Sequence, residues 1–555
     1  MPAVGLTQTL RKGSRKHREI CERLQRRIRR SESRYGSRHE TWRKAEEQFL
    51  AYLPERDVDA ARRLNRDNGG MPQYTTLVLP YTYALLMSAH TYWTTVFMAR
   101  APILQFSGRH GESEQQVQAL EALMDYQVQV GGLAVPLYIW LFDMGKYGVG
   151  IVGNYWDRVE VITSEIKEVE ELIMGVLPSG KMRKERVPVR VPGYEGNRLF
   201  NVRPYDFFPD PQVPLHRFQE GEFCGVYVEL NWPLIARRAD QGIYMNVEEL
   251  KKHKSRSRRD QGLARHQEWP EDYSTNDPDK EGLEYTQKNL YEVYVNLIPA
   301  EWGLGKETFM EKWVFTVTSD FSLLIGAQPL GAHHGMFPFF VQESEPEGYA
   351  LTPRSIPEVV LPLQNTLDWL VNSHFYNVRK VLNDQFLVDP SKIMIEDVLD
   401  PLPGGIIRLQ PATYGDDPNS AITQLKVTDV TQQHIGDMAS IMSFGERTTG
   451  INEQLMGMLN QGGRRSATEA RISSSFGVNR MKTSAEFASA MGWGPLAQAL
   501  VQNSQQYYDA EKKFRIVGEL IQEAGAGFVN VTPETIQGFY DFVPVDGTLP
   551  VDRFA

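Results

Sequence analysis

The chain has 555 residues, 41% of them hydrophobic, a formal net charge of -10 and two cysteines, Cys21 and Cys224. That length exceeds what a single hydrophobic core organises, so several structural regions are expected. Two cysteines exclude a disulfide framework, neither has metal-ligand spacing around it, and the basic N-terminus lacks the apolar stretch of a secretory leader, so a soluble protein of a reducing compartment is expected.

The charge is uneven. Residues 1–44 carry fourteen Lys/Arg against four Glu, a local balance of +10 that leaves about -20 on the remainder. Within this end, residues 14–31 read as a basic helix with Ile20, Leu24 and Ile28 along one edge, on an arm that is solvated or partly disordered. Its Arg26, Arg27, Arg29 and Arg30 form a charged face suited to nucleic acid or an acidic partner. From Trp42 the pattern turns globular, and WRKAEEQFLAYLP predicts a separate helix stopped by Pro54.

Met71 to Ala99 is uncharged, but its prolines, threonines, tyrosines and His90 make it too polar for a membrane span; a buried helix starting near Pro80 is expected. Glu114 to Gly148 predicts one or two helices with a break at Gly131-Gly132, and GVGIVGNYW then takes strand spacing. The acidic run Glu165, Glu168, Glu170 and Glu171 reads as the solvated face of a helix. Residues 186–232 alternate short strands with proline turns, and a basic cluster from Lys251 to Arg259 leads into a polar loop reaching about Gly282. Residues 288–343 contain NLYEVYVNLI, EKWVFTVTS and FPFFVQES, which predict one antiparallel sheet.

Ser355 to Asp384 is the strongest helical signal. Ser355 and Glu358 form a capping box around Pro357, and Leu363, Leu367, Leu370, His374, Val378 and Val381 recur at steps of four and three. Gln364, Asp368, Asn372, Asn377 and Lys380 fall on other faces. A second helix is expected after Thr428, with Ile435, Met438, Ile441 and Met442 on one side, antiparallel to the first. Between them, residues 385–427 are broken by five prolines and a Gly-Gly pair, with GIIRLQ strand-like: a small β-rich tip on two helices. Residues after 450 are Gly-rich up to a second capping box, Ser466 to Glu469. A long helix then runs toward Phe514, kinked at Pro495. Thr532-Pro533-Glu534 predicts another helix start, and FYDFVPV a strand.

Several patterns suggest chemistry and fail on context. Gly175-x-x-x-x-Gly180-Lys181 resembles a phosphate loop, but Met182 stands where a magnesium-binding hydroxyl is needed. Gly148, Gly150 and Gly153 match a dinucleotide fingerprint by letter, yet they follow a helix and lie in a strand, the reverse of the required order. His333-His334 lacks a third metal ligand. No nucleophile–base arrangement emerges, so neither catalysis, a metal nor a cofactor is expected. Gln461-Gly462-Gly463-Arg464-Arg465, in contrast, places two guanidiniums on a flexible backbone beside a helix start, which suits phosphate contact.

In order along the chain, PYTYALLMSAHTYWTTVFMARAP, MGKYGVGIVGNYW, VRPYDFFPDPQV, GMFPFF followed by SIPEVVLPLQNTLDWLVNSHFYN, and GGRRSATEA resemble the portal proteins of tailed double-stranded DNA phages, most of all those of short-tailed phages. The resemblance covers most of residues 40–550. It implies an α+β, portal-like fold: a basic N-terminal arm (1–41), a mixed helical and β-rich wing (42–354), stem helices (355–384 and 428–449), a β-rich clip (385–427) and a tunnel loop (450–465). A long kinked wing helix (466–514) and a C-terminal segment (515–555) follow, the latter leading toward a crown that is short, absent or truncated.

By the same resemblance the protein is a homo-oligomer, a ring of about twelve subunits closed by rotation around a DNA channel at one capsid vertex. It serves genome packaging, retention and ejection, is assembled in the host cytoplasm, and binds double-stranded DNA without sequence preference. The terminase motor, major capsid and scaffolding proteins and a tail adaptor are its other partners. Asn460, Gln461, Arg464 and Arg465 would face DNA in the tunnel loop. The rival expectations are a DNA-processing packaging enzyme, nuclease or ATPase, and another virion structural protein such as a scaffold or internal core protein.

Overall fold

The computed structural model describes residues 10–51, 77–173, 177–253, 288–382, 385–399, 406–411, 421–425, 431, 433–451, 480–509, 512–515 and 528–544. The fold is mixed α and β, as expected. In chain order the helices are α1 (Arg15–Phe49), α2 (Tyr81–Met98), α3 (Glu114–Val130), α4 (Ala134–Tyr147), α5 (Ile356–Leu382), α6 (His434–Thr449) and α7 (Gly494–Tyr507). The strands are β1 (Phe106–Gly108), β2 (Val149–Ile173), β3 (Leu177–Asn201), β4 (Phe207–Pro209), β5 (Phe223–Leu230), β6 (Lys288–Leu297), β7 (Glu311–Thr318), β8 (Leu324–Pro329), β9 (Phe339–Glu343), β10 (Gln385–Val388), β11 (Ile422–Leu425), β12 (Lys512–Arg515), β13 (Phe528–Val531) and β14 (Tyr540–Phe542). They divide into two compact units, one of residues 1–46, 84–359 and 450–555, the other of 47–83 and 360–449.

The first unit is built on an antiparallel sheet ordered β4-β5-β6-β7-β8. Alternate side chains leave its two faces. One face, with Phe208, Phe223, Val293, Phe315 and Val317, is covered by Ile20, Cys21, Leu24 and Ile28 of α1. Gly225 of β5 admits this helix: a Cβ there would stand 2.4 Å from Ile28 Cδ1. The other face shares a core with Tyr35 and Trp42, further along α1, and with Ile151, Phe339 and Val341. The apolar edge foreseen on residues 14–31 is therefore a packing face. The expected arm and the separate helix from Trp42 are one helix of 35 residues, held because its stripe has a sheet to cover. Pro54 lies outside the described residues.

FPFFVQES does not join that sheet. As β9 it pairs with the first residues of β2, giving the order β3-β2-β9. The acidic run also differs from expectation: Glu165 to Glu171 lie within β2, which pairs antiparallel with β3, with register shifts at Val159/Glu160 and Glu170/Leu172, in a hairpin of two 25-residue strands. The helix reading failed because the basic partner strand, rather than local spacing, decides the conformation.

α2, α3 and α4 form where expected, with Gly131 and Gly132 breaking the last two apart and Gly148 ending α4 in the left-handed conformation at φ 82°. Trp493 is fully buried, stacked on Phe97 at 4.7 Å and tilted against Trp140 at 5.8 Å. Pro495 is accommodated by a π-helical turn, Ser489–Trp493, in which the Gly494 N–H donates to the Ser489 carbonyl one residue further back than in an α-helix. The helix ends at Tyr507, short of the expected Phe514, because residues 512–515 become β12 and pair with β13. Thr532 and Thr535 exchange hydrogen bonds in a turn rather than starting a helix, and FYDFVPV supplies β14, paired with β1. Buried Asn197 ties β3 to α3 and α7, donating to Gln127 Oε1 at 2.8 Å and to the Leu500 carbonyl at 3.0 Å while accepting from Asn503 at 3.0 Å.

In the second unit β10 and β11 pair antiparallel, and the strand-like GIIRLQ contributes a single bridge, Leu409 to Ile393. The polar loop from 254 and the Ser466–Glu469 box lie outside the described residues.

Candidate functional site

At the start of α5 the Ser355 hydroxyl accepts from the Glu358 N–H at 3.2 Å, as the capping pattern predicts. Only half the box forms, because the Glu358 carboxylate is taken by both terminal nitrogens of Arg38, at 2.7 and 3.1 Å. Such forked charge-assisted pairs are stronger than neutral hydrogen bonds.

Of the residues expected to pack along the two helices, Leu367 and Leu370 are buried, and Leu363, His374, Val378, Val381 and Met438 are half-buried. Val360 and Val371 join the buried set. Ile435 and Met442 are instead exposed, at 59% and 42%, so the expected apolar seam between α5 and α6 does not close through them within one copy. Polar groups join α5 to the first residue of α6 and to the residues just before it. Thr431 Oγ1 lies 2.9 Å from His374 Nδ1 and accepts from Asn377 at 3.1 Å, and Ser373 Oγ is 3.3 Å from His434 Nδ1. α6 begins at His434, and Thr428, the expected cap, is outside the described residues.

The polar residues that the periodicity left aside have a role. Gln364, Asp368 and Asn372 recur every four residues on α5 and grip the backbone of residues 77–82. Gln364 accepts from the Thr82 N–H at 3.2 Å and hydroxyl at 3.1 Å, and donates to the Leu79 carbonyl at 2.6 Å. Asp368 accepts from the Leu79 N–H at 2.9 Å; Asn372 accepts from the Leu77 N–H at 2.8 Å and returns a bond to its carbonyl at 2.9 Å. The 4-4 spacing of amide and carboxylate side chains was the available signal. Tyr81 donates to the Met442 carbonyl at 2.8 Å and packs on Gly445, where a Cβ would lie 2.2 Å from its oxygen.

α5 and α6 leave a run of large apolar groups in solvent: Trp369 (64%), Phe444 (55%), Phe375 and Tyr376, besides Ile435 and Met442. Six large apolar side chains exposed on two helices are the kind of surface from which interaction sites are built.

Arg27 pairs with Glu222, and both Arg23 and Arg27 stack on Trp302, with centroid distances of 4.9 and 5.2 Å. Arg26 reaches the Glu22 carbonyl at 3.4 Å and is exposed, as are Arg29 and Arg30. Arg27 is thus ion-paired within the chain, Arg26 reaches backbone, and Arg30 donates to the side-chain oxygen of Gln212. Asn460, Gln461, Arg464 and Arg465 lie outside the described residues.

No group of three or more His, Cys, Asp or Glu that could hold a metal occurs among the described residues. His334 Nδ1 accepts from the Met336 N–H at 3.0 Å, and burial, with Lys312 and His333 nearby, pushes its pKa down to about 4. Burial pushes the Cys21 thiol up to about 12, far from a reactive thiolate. Gly180 and Lys181 of the phosphate-loop pattern lie within β3, where a nucleotide loop needs a following helix, and Gly175 is outside the described residues. Gly148 and Gly150 pack against backbone, of Pro353 and Trp140, so close approach explains them. No single described helix is long and apolar enough to cross a membrane.

A family model described as the phage SU10 portal protein matches residues 93–525. No curated protein matches the chain.

Proposed function

The chain belongs to the phage SU10 portal protein family, and from that premise we propose how its parts serve a portal. As a portal protein it is a structural component of the virion, in a capsid-associated oligomeric assembly at a vertex. On our reading the assembly is a closed ring of about twelve copies around double-stranded DNA, assembled in the host cytoplasm. Residues 355–384 and 428–449 act as its stem, 385–427 as the clip that meets the terminase motor and tail adaptor, and 450–465 as the tunnel loop. In that loop Asn460, Gln461, Arg464 and Arg465 touch the passing phosphates. Residues 42–354, 466–514 and 515–555 form the wing, beside major capsid and scaffolding proteins. Brief, sequence-independent contacts by a few arginines suit DNA that must slide, since phosphate binding carries no sequence information.

The observation that carries this reading is the apolar surface left open on α5 and α6, from Trp369 to Phe444, in a chain of an oligomer-forming family. In a ring those side chains meet the next copy. Averaged electron-microscope images of the purified protein, with mass by light scattering, test it. A ring with a central hole is expected; a species that stays small under all conditions, and that hydrolyses ATP or cuts DNA, would replace the portal reading with the enzyme.

A further inference from the structure

The hairpin of β2 and β3 outruns its support. β2 is paired on its second edge only over Val149–Gly153, yet the hairpin continues to Ile173. Every residue from 158 to 166 is exposed. A two-stranded ribbon in water is marginal without a third strand or a covering layer, and this one exposes Val159, Val161, Ile162 and Ile166. The register Val161↔Val191, Thr163↔Val189 and Glu165↔Val187 puts Val161, Val187, Val189 and Val191 on one face, with Val159 two residues before Val161. The opposite face carries Glu160 and Arg190, 4.0 Å apart, with Ile162 and Ile166 above 60% exposed.

The two strands are also opposite in charge. β2 has six acidic residues against two basic, and β3 six basic against two acidic. A single ribbon is therefore an acidic edge and a basic edge side by side. Such an object is complementary to a copy of itself placed head to tail, the heterologous contact that closes into rings. Pro178, Pro188 and Pro192 interrupt β3, so its outer edge is a poor template for indefinite strand addition, and contact through faces and side chains is favoured.

We propose that the ribbon is an intersubunit clasp: its valine face lies on the neighbouring copy of this chain, with the acidic strand of one ribbon beside the basic strand of the next. This rests on the oligomeric portal reading but adds a contact remote in sequence from α5 and α6. The test compares the full-length chain as dispersed subunits and as assembled ring by hydrogen exchange of residues 157–166 and 184–194. At least roughly tenfold slower exchange in the ring is expected. Val161→Lys with Val189→Lys should raise the concentration for half-assembly by a similar factor, while thermal unfolding of the dispersed subunit is unchanged. If the ring forms and exchange of the ribbon is the same in both states, or slows only when capsid shell protein is added, the clasp is wrong and the ring stands. If no ring forms at any concentration, both readings fall.

Discussion

Tryptophans measure the difference between the two units. In the first, Trp93, Trp140 and Trp493 are almost fully buried, two of them in one aromatic cluster, and the sheet is covered on both faces. In the second, Trp369 stands 64% exposed on a helix whose buried side is secured largely by hydrogen bonds to residues 77–82. The first unit completes its own core. The second holds its backbone in place through these hydrogen bonds and leaves large apolar side chains exposed.

The sharpest way to break this contrast is Trp493→Ala. It should cost about 3–5 kcal/mol in the dispersed subunit, read by chemical denaturation, because a large cavity opens between Phe97 and Trp140. A loss below about 1 kcal/mol would mean that the first unit does not depend on this cluster.

Glu343 offers a test of the same core through pH. It is 2% exposed on β9, its Oε2 has no hydrogen-bond partner among the described residues, and burial raises its pKa to about 7. A carboxyl whose folded pKa lies above its unfolded value favours the fold when protonated. The native state should thus be at its best below about pH 4 with respect to this group, lose stability as pH rises toward 7, and stay level beyond. Glu343→Gln should then stabilise at pH 8 by at most roughly 3 kcal/mol and hardly at all near pH 4. An equal effect at both values would show that the charge is solvated.

Gln364→Ala addresses the second unit. Its four hydrogen bonds, to Thr82, Leu79 and Asp368, leave buried groups unsatisfied when removed, at about 1–3 kcal/mol. The loss should appear as faster amide exchange in residues 360–382, with the first unit unaffected. Smallest in the dispersed subunit is Trp369→Ala, within about 0.5 kcal/mol. The same change should raise the half-assembly concentration roughly tenfold if Trp369 anchors the contact with the next copy. A large effect on the dispersed subunit with none on assembly would invert the comparison.

Elements whose start, stop and period agree were legible from residues alone. α3 and α4, parted by two glycines, and α5, opened by Ser355, are of this kind, as is the buried helix after Pro80. What escaped depended on partners far along the chain. Ile20, Leu24 and Ile28 announce a face, but the sheet they cover begins almost two hundred residues later. Glu165 to Glu171 satisfy helix and strand spacing alike until Lys184 to Arg190 are laid beside them. Gln364, Asp368 and Asn372 are legible only as falling off the apolar face, because a polar stripe gripping backbone has the same pattern as one facing water. Pro495 announces a disturbance without saying that a single π turn absorbs it.

The first helix has a consequence for how the chain is made. Ile20, Cys21, Leu24 and Ile28 leave the ribosome early, whereas the sheet they cover is complete only when β8 ends at Pro329. At ~5–20 residues per second, about 300 residues of synthesis take on the order of 15 to 60 seconds. Throughout that interval an amphipathic, strongly basic segment is tethered near the ribosome with its apolar stripe unclaimed, a natural client for a nascent-chain chaperone. Chains released before residue 329 would keep that stripe bare, so early termination products should be cleared or aggregate rather than enter the assembly.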